Sequence, residues 1–163
     1  MSLLAAHLND AGISVLSAER VIYREPGYTL LEDDKLVTGL DAFASSRIRP
    51  RRIQNKYWAE LTTEPLAERQ FQHLSNADLV SQQLEQIWRQ AAEQGDRLVV
   101  AVPAYMSNNN LGLFLGIAAE HKIPNVAMVD AAVAATRREY KEGVPVHVDI
   151  SLQSTILSRM AQG

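Results

Sequence analysis

The stretch LVVAVPAYMSNNNLGLFLGIAAEHKIPNVAMVD, from Leu98 to Asp130, decides the fold. Its first five residues form a continuous apolar run, which predicts a strand buried on both faces. Ser107 predicts the N-cap of a helix whose apolar residues recur at helical spacing. Val126–Val129 predicts another buried strand, and Asp130 predicts the cap of an Ala-rich helix that continues through Arg138. Strands and helices that alternate in this way indicate a sheet with helices packed on its faces.

The region upstream adds another helix and a series of short strands. Ser75 and Asp78 form a capping-box pattern, and apolar residues then keep helical spacing until Gly95 ends the helix. A short helix is predicted for Leu40–Ile48, and periodicity fades from Arg49 to His73. The predicted strands are short apolar runs separated by turn residues: Leu3–Leu8, Ile13–Leu16, Arg20–Tyr23, Tyr28–Leu31 and Lys35–Val37.

The last two runs, Val144–Ile150 and Thr155–Met160, predict a hairpin. The chain therefore reads as three strands, an irregular insert, and then helices and strands in alternation. Antiparallel strands that lead into helix–strand alternation predict an α/β fold with a mixed sheet.

Composition limits the classes of function. The 163 residues fit one domain, since domains most often run to about 100–150 residues. A formal net charge of −3 gives no overall attraction to nucleic acid or to an anionic membrane. The chain has no cysteine, which excludes disulfides and thiol chemistry and is compatible with a cytoplasmic location. No apolar run approaches the roughly 20 residues of a membrane span, and no signal-peptide pattern opens the sequence.

Several motifs resemble those of the seventy-kilodalton heat-shock chaperones. Val102–Met106, VPAYM, resembles the V-P-A-Y-F of that family, between a strand and a Ser-capped helix. The segment Ile123–Ala135 is similar to the family's G-L-x-V-x-x-I-x-E-P-T-A-A-A. Pro26–Tyr28 resembles the family's T-P-S-Y, and Val146–Ile150 aligns with the strand before its second phosphate loop. These motifs occur in the family's order along nearly the whole chain.

The resemblance implies the first lobe of the superfamily of actin, heat-shock chaperone and sugar kinase ATPases. Residues 1–163 would form one lobe with a ribonuclease-H-like, mixed five-stranded sheet, in which three antiparallel strands are followed by parallel strands. Helices would lie on the sheet faces, and residues 24–73 would form a small inserted subdomain. A second lobe, of the same protein or of another protein, would be its partner. ATP or ADP with Mg²⁺ would bind between two lobes, so this chain alone would hold no cofactor.

The phosphate-binding motifs of the superfamily are degenerate here. The family's first hairpin reads D-x-G-T-T, whereas this chain has His7–Ala11, with His7 for the acid and Asn9 for the glycine. The second reads D-L-G-G-G-T, whereas Asp149–Ser154 keeps the acid and has none of the glycines. Side chains replace the glycines that let backbone N–H groups approach phosphate. The alignment places the nucleotide-contacting positions at six residues: His7, Asn9, Asp10, Asp149, Ser151 and Ser154.

Three residues are candidates for a catalytic role, namely Asp149, Asp130 and Lys56. Asp130 aligns with the family's Glu, and Lys56 lies about two residues from the position of its catalytic lysine. His7 could bind a metal with Asp149, and His147 shares one strand face with Asp149 by its spacing of two. His7 could also form an acid–base pair with Asp149 or Asp130. Polar packing is favoured over both, because no third metal ligand is evident. We therefore predict no metal site.

Two surface features also have alternative interpretations. The basic residues Arg47, Arg49, Arg51, Arg52 and Lys56 could contact an anion or nucleic acid, but pairing with the acidic turn Glu32–Asp34 is favoured. Trp58 suggests an exposed contact surface, while Trp88 fits the apolar stripe of its helix and is predicted to lie in the core. We predict no nucleic-acid partner.

Three functional hypotheses follow. The first is a chaperone-like pseudoenzyme, a lobe of ATPase fold that binds nucleotide weakly or not at all and acts through protein contacts. The second is an active ATPase or phosphotransferase lobe that needs a second lobe. The third is a self-associating module, since a lobe without its partner exposes an apolar face, and a homodimer would cover it.

Overall fold

The computed structural model describes residues 2–124, 126–137 and 143–160. Its elements comprise ten strands and four α-helices within these ranges. The strands are β1 (Leu3–His7), β2 (Ile13–Leu16), β3 (Val21–Glu25), β4 (Thr29–Leu31), β5 (Leu36–Thr38), β6 (Ile53–Gln54), β7 (Arg97–Val102), β8 (Val126–Asp130), β9 (Val146–Ile150) and β10 (Thr155–Arg159). The helices are α1 (Leu40–Ser45), α2 (Asn76–Ala91), α3 (Asn108–Glu120) and α4 (Ala131–Thr136).

A five-stranded sheet in the order β3-β2-β1-β7-β8 organises the chain. The first three strands are antiparallel, and β1, β7 and β8 run parallel, with Ala5 opposite Val99 and Val99 opposite Ala127. This arrangement confirms the predicted mixed α/β fold with three antiparallel strands followed by parallel ones. Strands β9 and β10 form a separate two-stranded sheet, as the predicted C-terminal hairpin requires.

One face of the central sheet is buried by α2 and α3. Helix α2 begins at the predicted capping box, in which the Ser75 hydroxyl accepts from the Asp78 amide and the Asp78 carboxylate accepts from the Ser75 amide. Its apolar side chains and those of α3 pack in one cluster with the inward residues of the strands. Burial of this apolar area is the main stabilising term for such a fold. The cluster includes Leu4, Val15, Leu79, Ile87, Val100 and Phe114.

A buried amide on α2 ties the middle of the chain to the core. Gln83 is fully buried, and its side-chain oxygen accepts hydrogen bonds from the Tyr57 hydroxyl (2.7 Å) and from the Trp58 indole (2.8 Å). Its nitrogen donates to the Tyr23 hydroxyl (3.1 Å) and to the Pro26 carbonyl (3.0 Å). All four bonding positions of the amide are therefore used, as a buried polar group requires.

The segment between β3 and α2 has its own three-stranded sheet, in the order β5-β4-β6, with α1 packed beside it. The predicted pairing of basic residues with the acidic turn is confirmed, since Arg49 contacts Glu32 at 2.7 Å and Arg52 contacts Asp33 at 2.8 Å. A groove of about 710 Å³ lies between these two charged stretches. The exact bounds of a separate subdomain at residues 24–73 stay a prediction.

Some expectations about burial and element ends were wrong. Strand β8 is half-exposed because it is an edge strand, and β7 alternates buried with half-buried residues because helices α2 and α3 cover only one face. Trp58 is buried and bonded to Gln83, so it is no contact surface. Trp88 is only partly buried, although it packs against the core as predicted.

Two helices are shorter than predicted. Helix α1 ends at Ser45 and α4 ends at Thr136, while Arg138, the predicted last residue of α4, lies outside the described residues. Within the described part of the chain, no helix has the length and apolar character needed to cross a bilayer.

Candidate functional site

The turn between β1 and β2 forms one half of the candidate site. The Asn9 side-chain oxygen accepts a hydrogen bond from the Ala11 amide (3.0 Å), and the Asn9 carbonyl accepts one from the Gly12 amide (2.9 Å). Asn favours turns for this reason, because its side chain can bond the backbone two residues on. The turn directs Asp10 inward, where it is only 1% exposed. The Gly27 amide holds the turn from the other side by donating to the Asp10 carbonyl at 2.7 Å.

The turn between β9 and β10 forms the other half. The Ser151 amide donates to the Ser154 carbonyl (2.9 Å), and the Ser154 amide donates to the Ser151 hydroxyl (3.1 Å). The two hydroxyl oxygens are 3.0 Å apart. Serine hydroxyls therefore satisfy this turn from within, in a segment that has no glycine.

Side chains of the first turn bond directly to the end of β9 and to the second turn. The Asn9 amide nitrogen donates to a carboxylate oxygen of Asp149 and to the Ile150 carbonyl, both at 2.8 Å. The Leu152 backbone amide donates to the Asp10 carboxylate at 2.7 Å. We refer to Asn9, Asp10, Asp149 and Leu152 as the turn cluster. It joins residues that lie about 140 positions apart in the sequence.

The turn cluster contains two buried carboxyl groups. Burial raises the pKa of Asp10, hydrogen bonds from three backbone N–H groups, that of Leu152 first, oppose the rise, and the nearby charge of Asp149 adds to it. The second carboxyl oxygen of Asp10 is buried and has no hydrogen-bond partner among the described residues. None of the ion pairs found in the described ranges includes Asp10 or Asp149. The cluster therefore holds two carboxyl groups that have no cationic partner among the described residues.

Tyr105 borders these carboxyl groups from the loop after β7. Burial raises the pKa of its hydroxyl, and the negative charges of Asp10 and Asp149 raise it further. A phenol in this position stays protonated at neutral pH and can donate a hydrogen bond. It adds no positive charge to the cluster.

Only some of the predicted site residues meet. Asn9, Asp10 and Asp149 bond across the two turns, and Ser151 and Ser154 form the second turn. His7 lies in β1 opposite Ser14, and no hydrogen bond among the described residues joins it to Asp149.

The other two candidates have different surroundings. The Asp130 carboxylate caps α4 by accepting from the Ala132 amide (2.8 Å) and the Val133 amide (3.1 Å). Lys56 is exposed, and its carbonyl accepts from the Glu60 amide. Its neighbour Asn55 reaches the second turn instead, because the Gln153 side chain donates to the Asn55 carbonyl at 3.3 Å.

The site does not match a metal centre. In the ranges that the structure covers, no three His, Cys, Asp or Glu side chains form a group able to hold a metal ion. Asp10 and Asp149 supply two carboxyl groups, and one oxygen of each already accepts a hydrogen bond from the cluster itself. Mg²⁺ in proteins needs near-octahedral oxygen coordination, so two such groups are a poor fit.

The sequence did not reveal the Asp10–Leu152 bond or the approach of Tyr105. The Asn9-Asp10 pair indicated a turn, but nothing local indicated which backbone amide its carboxylate would accept from. The available sequence signal for this cluster was Asp10, an acid in a turn with no basic residue close to it in the sequence.

The fold resembles that of several solved structures. No protein-family model matches the sequence, and no curated protein matches it. Among solved structures, MreB5 of Spiroplasma citri bound to ADP is similar, with a TM-score of 0.72, 15% identity, and coverage of 97% of this chain and 48% of that one. A non-polymerising mutant of MamK bound to AMPPNP has a TM-score of 0.56 and 17% identity, with coverage of 81% and 41%. The MamK double helical filament has a TM-score of 0.54 and 19% identity, with coverage of 79% and 40%.

These likenesses establish the fold and nothing finer. The chain has the fold of one lobe of the actin-like ATPases, and it spans about half the length, or less, of the solved chains that it matches. Identities of 14–19% carry no residue-level function.

Proposed function

We propose that this chain is a lobe of actin-like fold that does not hydrolyse ATP and that acts through protein contacts. The observation that carries the proposal is the bond from the Leu152 amide to the Asp10 carboxylate. In this fold, the two facing turns would have to offer free backbone N–H groups to a phosphate. Here one such N–H is already bonded to an anion supplied by the chain.

Electrostatics supports the same conclusion. Asp10 and Asp149 are both buried and have no cationic partner among the described residues, so a phosphate brought between the turns would meet two acids. Like charges repel most strongly where water is excluded, because the effective dielectric is low there. The side-chain amide of Asn9 is a neutral donor beside these acids, but it already donates to Asp149 and to the Ile150 carbonyl.

The sequence motifs add the finer part of the proposal. The resemblance to heat-shock chaperones, with glycines lost from both phosphate loops, favours a chaperone-like pseudoenzyme in the cytoplasm. Leu152 and Gln153 carry side chains where that family has glycine. We infer that the fold is kept as a scaffold for binding another polypeptide.

Nucleotide binding is the second candidate function. It is favoured by the retained, buried Asp149 and by the ADP and AMPPNP bound to the similar MreB5 and MamK structures. In that case ATP or ADP with Mg²⁺ would bind between this lobe and a second lobe, and Asp10 would have to leave the Leu152 amide. The donor set of the turn cluster fits this candidate less well than it fits the first.

Self-association is the protein contact that the comparisons favour. MamK is seen as a double helical filament, and its mutant is described as non-polymerising. A lobe of the same fold therefore has a second copy, or a second lobe, as the first partner to test.

The test is a titration of the chain with MgATP and MgADP, followed by calorimetry and by thermal unfolding. A ligand at about 100 times its dissociation constant stabilises a protein by about 2.7 kcal/mol. For a chain of this size, that gain raises the melting temperature by roughly 5–10 °C. We expect no saturable heat and no such shift, with magnesium pyrophosphate as the control for general phosphate binding.

The matched variant is Asp149→Asn, which keeps the shape of the side chain and removes its charge. Stabilisation of the wild type by MgATP that is lost in Asp149→Asn would overturn the proposal in favour of nucleotide binding. Release of phosphate from ATP by the wild type, abolished in the same variant, would do so more strongly.

A further inference from the structure

The hairpin formed by β9 and β10 is the least supported part of the fold. It is a two-stranded sheet, and no third strand pairs with it within residues 2–124, 126–137 and 143–160. Isolated two-stranded hairpins are marginally stable in water and need a further strand or a packed helix. Helix α4 and the turn cluster contact β9 on one side, while no strand of the described residues pairs with the outer edge of β10.

One face of the hairpin is apolar and exposed. Alternate residues of β9 point to this face, and Leu157 of β10 lies opposite Val148. Ile150 is 65% exposed and Leu157 is 70% exposed, which is unusual for large apolar side chains on adjoining strands. The exposed apolar residues of the face are Val146, Val148, Ile150 and Leu157. Contiguous apolar surface of this kind marks an interaction site.

The hydrogen-bond phase of the hairpin determines which groups face outward. The Ser151 amide donates to the Ser154 carbonyl, and the Met160 amide donates to the Pro145 carbonyl. Bonded and non-bonded pairs alternate along antiparallel strands. Thr155, Leu157 and Arg159 therefore belong to non-bonded pairs, and their N–H and C=O groups point away from β9. Three donors and three acceptors are left along the outer edge of β10.

This edge is complementary to itself. If β10 of a second copy lies antiparallel and centred on Leu157, that residue faces its own counterpart, and Thr155 faces Arg159 of the second copy. Each facing pair can exchange two backbone bonds, so the register forms six. The arginines lie opposite threonines, and no like charges are opposed. An isologous contact requires a self-complementary patch of this type.

We propose that two copies of the chain associate through β10, by antiparallel pairing centred on Leu157, into a four-stranded sheet. The inference rests on the proposed protein-contact function and names the partner as a second copy. A free edge with three outward N–H groups and no proline or lysine lacks the features that keep edge strands apart. The pairing also brings the two Leu157 side chains together at the symmetry axis, where each covers the other.

The first experiment is light scattering across a range of concentrations, with a monomer mass of 18.1 kDa as the reference. We expect the wild type to approach twice that mass. In Leu157→Lys, two ammonium groups meet at the axis, so the dimer dissociation constant should rise at least about tenfold. Val148→Lys is the control, because it alters the same apolar face one strand away from the contact, and it should still dimerise.

The second experiment uses the absence of cysteine in the chain. In the proposed register, the Cα atoms of residue 157 in the two copies are about 5.5 Å apart, within reach of a disulfide. Leu157→Cys should therefore form a covalent dimer on mild oxidation. In Val148→Cys the two thiols lie about three strand spacings apart, roughly 14 Å, and should not cross-link.

Each outcome supports or overturns the pairing through β10. A monomer at every concentration, or equal cross-linking of Leu157→Cys and Val148→Cys, would overturn the pairing. If the chain is monomeric and also binds no nucleotide, the protein-contact function stands and the partner is a different polypeptide. If the chain dimerises as described and binds MgATP, the pairing stands and the non-catalytic function does not.

Discussion

Replacement of Gln83 by leucine tests whether one buried amide holds the middle segment on the core. Leucine has a similar volume, so the change removes four hydrogen bonds without opening a large cavity. The Trp58 indole N–H and the Pro26 carbonyl lose the Gln83 partner that each has in the structure. A buried polar group left unpaired costs about 1–3 kcal/mol.

The full cost is smaller than the sum over four bonds. The Tyr57 hydroxyl can turn to Thr29, whose own hydroxyl is buried without a partner among the described residues. The Tyr23 hydroxyl keeps the possibility of donating toward Glu25, which lies near it. The Pro26 carbonyl still accepts from the Tyr28 amide at 2.9 Å. One unsatisfied group, the Trp58 indole N–H, and three weakened ones therefore give a loss of about 2–4 kcal/mol. That is a large fraction of the 5–15 kcal/mol by which domains are typically stable.

The assay is urea unfolding followed by tryptophan fluorescence, since Trp58 is buried beside Gln83. We expect a lower midpoint with an unchanged slope, and a melting temperature lowered by roughly 4–16 °C. Gln90→Leu, at an exposed position of the same helix, is the matched control and should change stability by less than about 0.5 kcal/mol. A loss below about 1 kcal/mol for Gln83→Leu would refute the reasoning, because the four bonds would then be dispensable.

Three further predictions concern the turn cluster and two glycines. Burial raises the pKa of Asp10 above its unfolded value of 3.8, so the folded protein binds the extra proton and stability falls as pH rises through the folded pKa. Asp10→Asn keeps an acceptor for the Leu152 amide and should reduce this fall in stability. Urea midpoints of the wild type and the variant between about pH 3.5 and 7 would show the difference, and parallel curves for the two proteins would contradict the prediction. Gly112→Ala should stabilise α3 by about 0.5–1 kcal/mol, because beyond the helix's own backbone and the adjoining residues nothing lies within 4 Å of the added methyl group. A lower melting temperature would contradict this prediction. Gly39→Ala should destabilise the protein by more than about 1 kcal/mol, since φ is 77° and the added methyl group meets the Glu25 carboxylate. Glu25→Ala added to Gly39→Ala should recover only the stability lost to that steric contact, and the loss from the backbone conformation should remain in thermal unfolding.

Local chemistry made most elements predictable from the sequence. The capping box at Ser75 and Asp78 fixed the start of α2, and Ser107 and Asp130 fixed the starts of α3 and α4. These are contacts within three residues, so the sequence displays both partners together. The burial of β8 was not predictable in this way, because its position at the edge depends on which strand pairs with which.

Trp58 shows the same limit for a single side chain. It lies in a stretch without clear periodicity, and the acceptor of its indole N–H is Gln83, 25 residues away. A tryptophan in such a stretch resembles an exposed contact residue until that partner is known. The structure places it in the core because α2 supplies the amide that its polar atom needs.

The sequence predicted which residues lie in the candidate site, but not the hydrogen bonds that join them. Alignment placed Asn9, Asp10 and Asp149 on two facing turns, and loss of glycine indicated that phosphate would fit poorly. That argument concerns space alone, whereas the structure adds charge: Asp10 accepts from the Leu152 amide as a phosphate oxygen would. A carboxylate held in the chain does not dissociate, so a phosphate must displace it and then remain beside Asp149. Under the proposed non-catalytic function, removing Asp10 alone would free the amide but leave the side chains of Leu152 and Gln153 in the turn, so space and charge would each oppose phosphate separately.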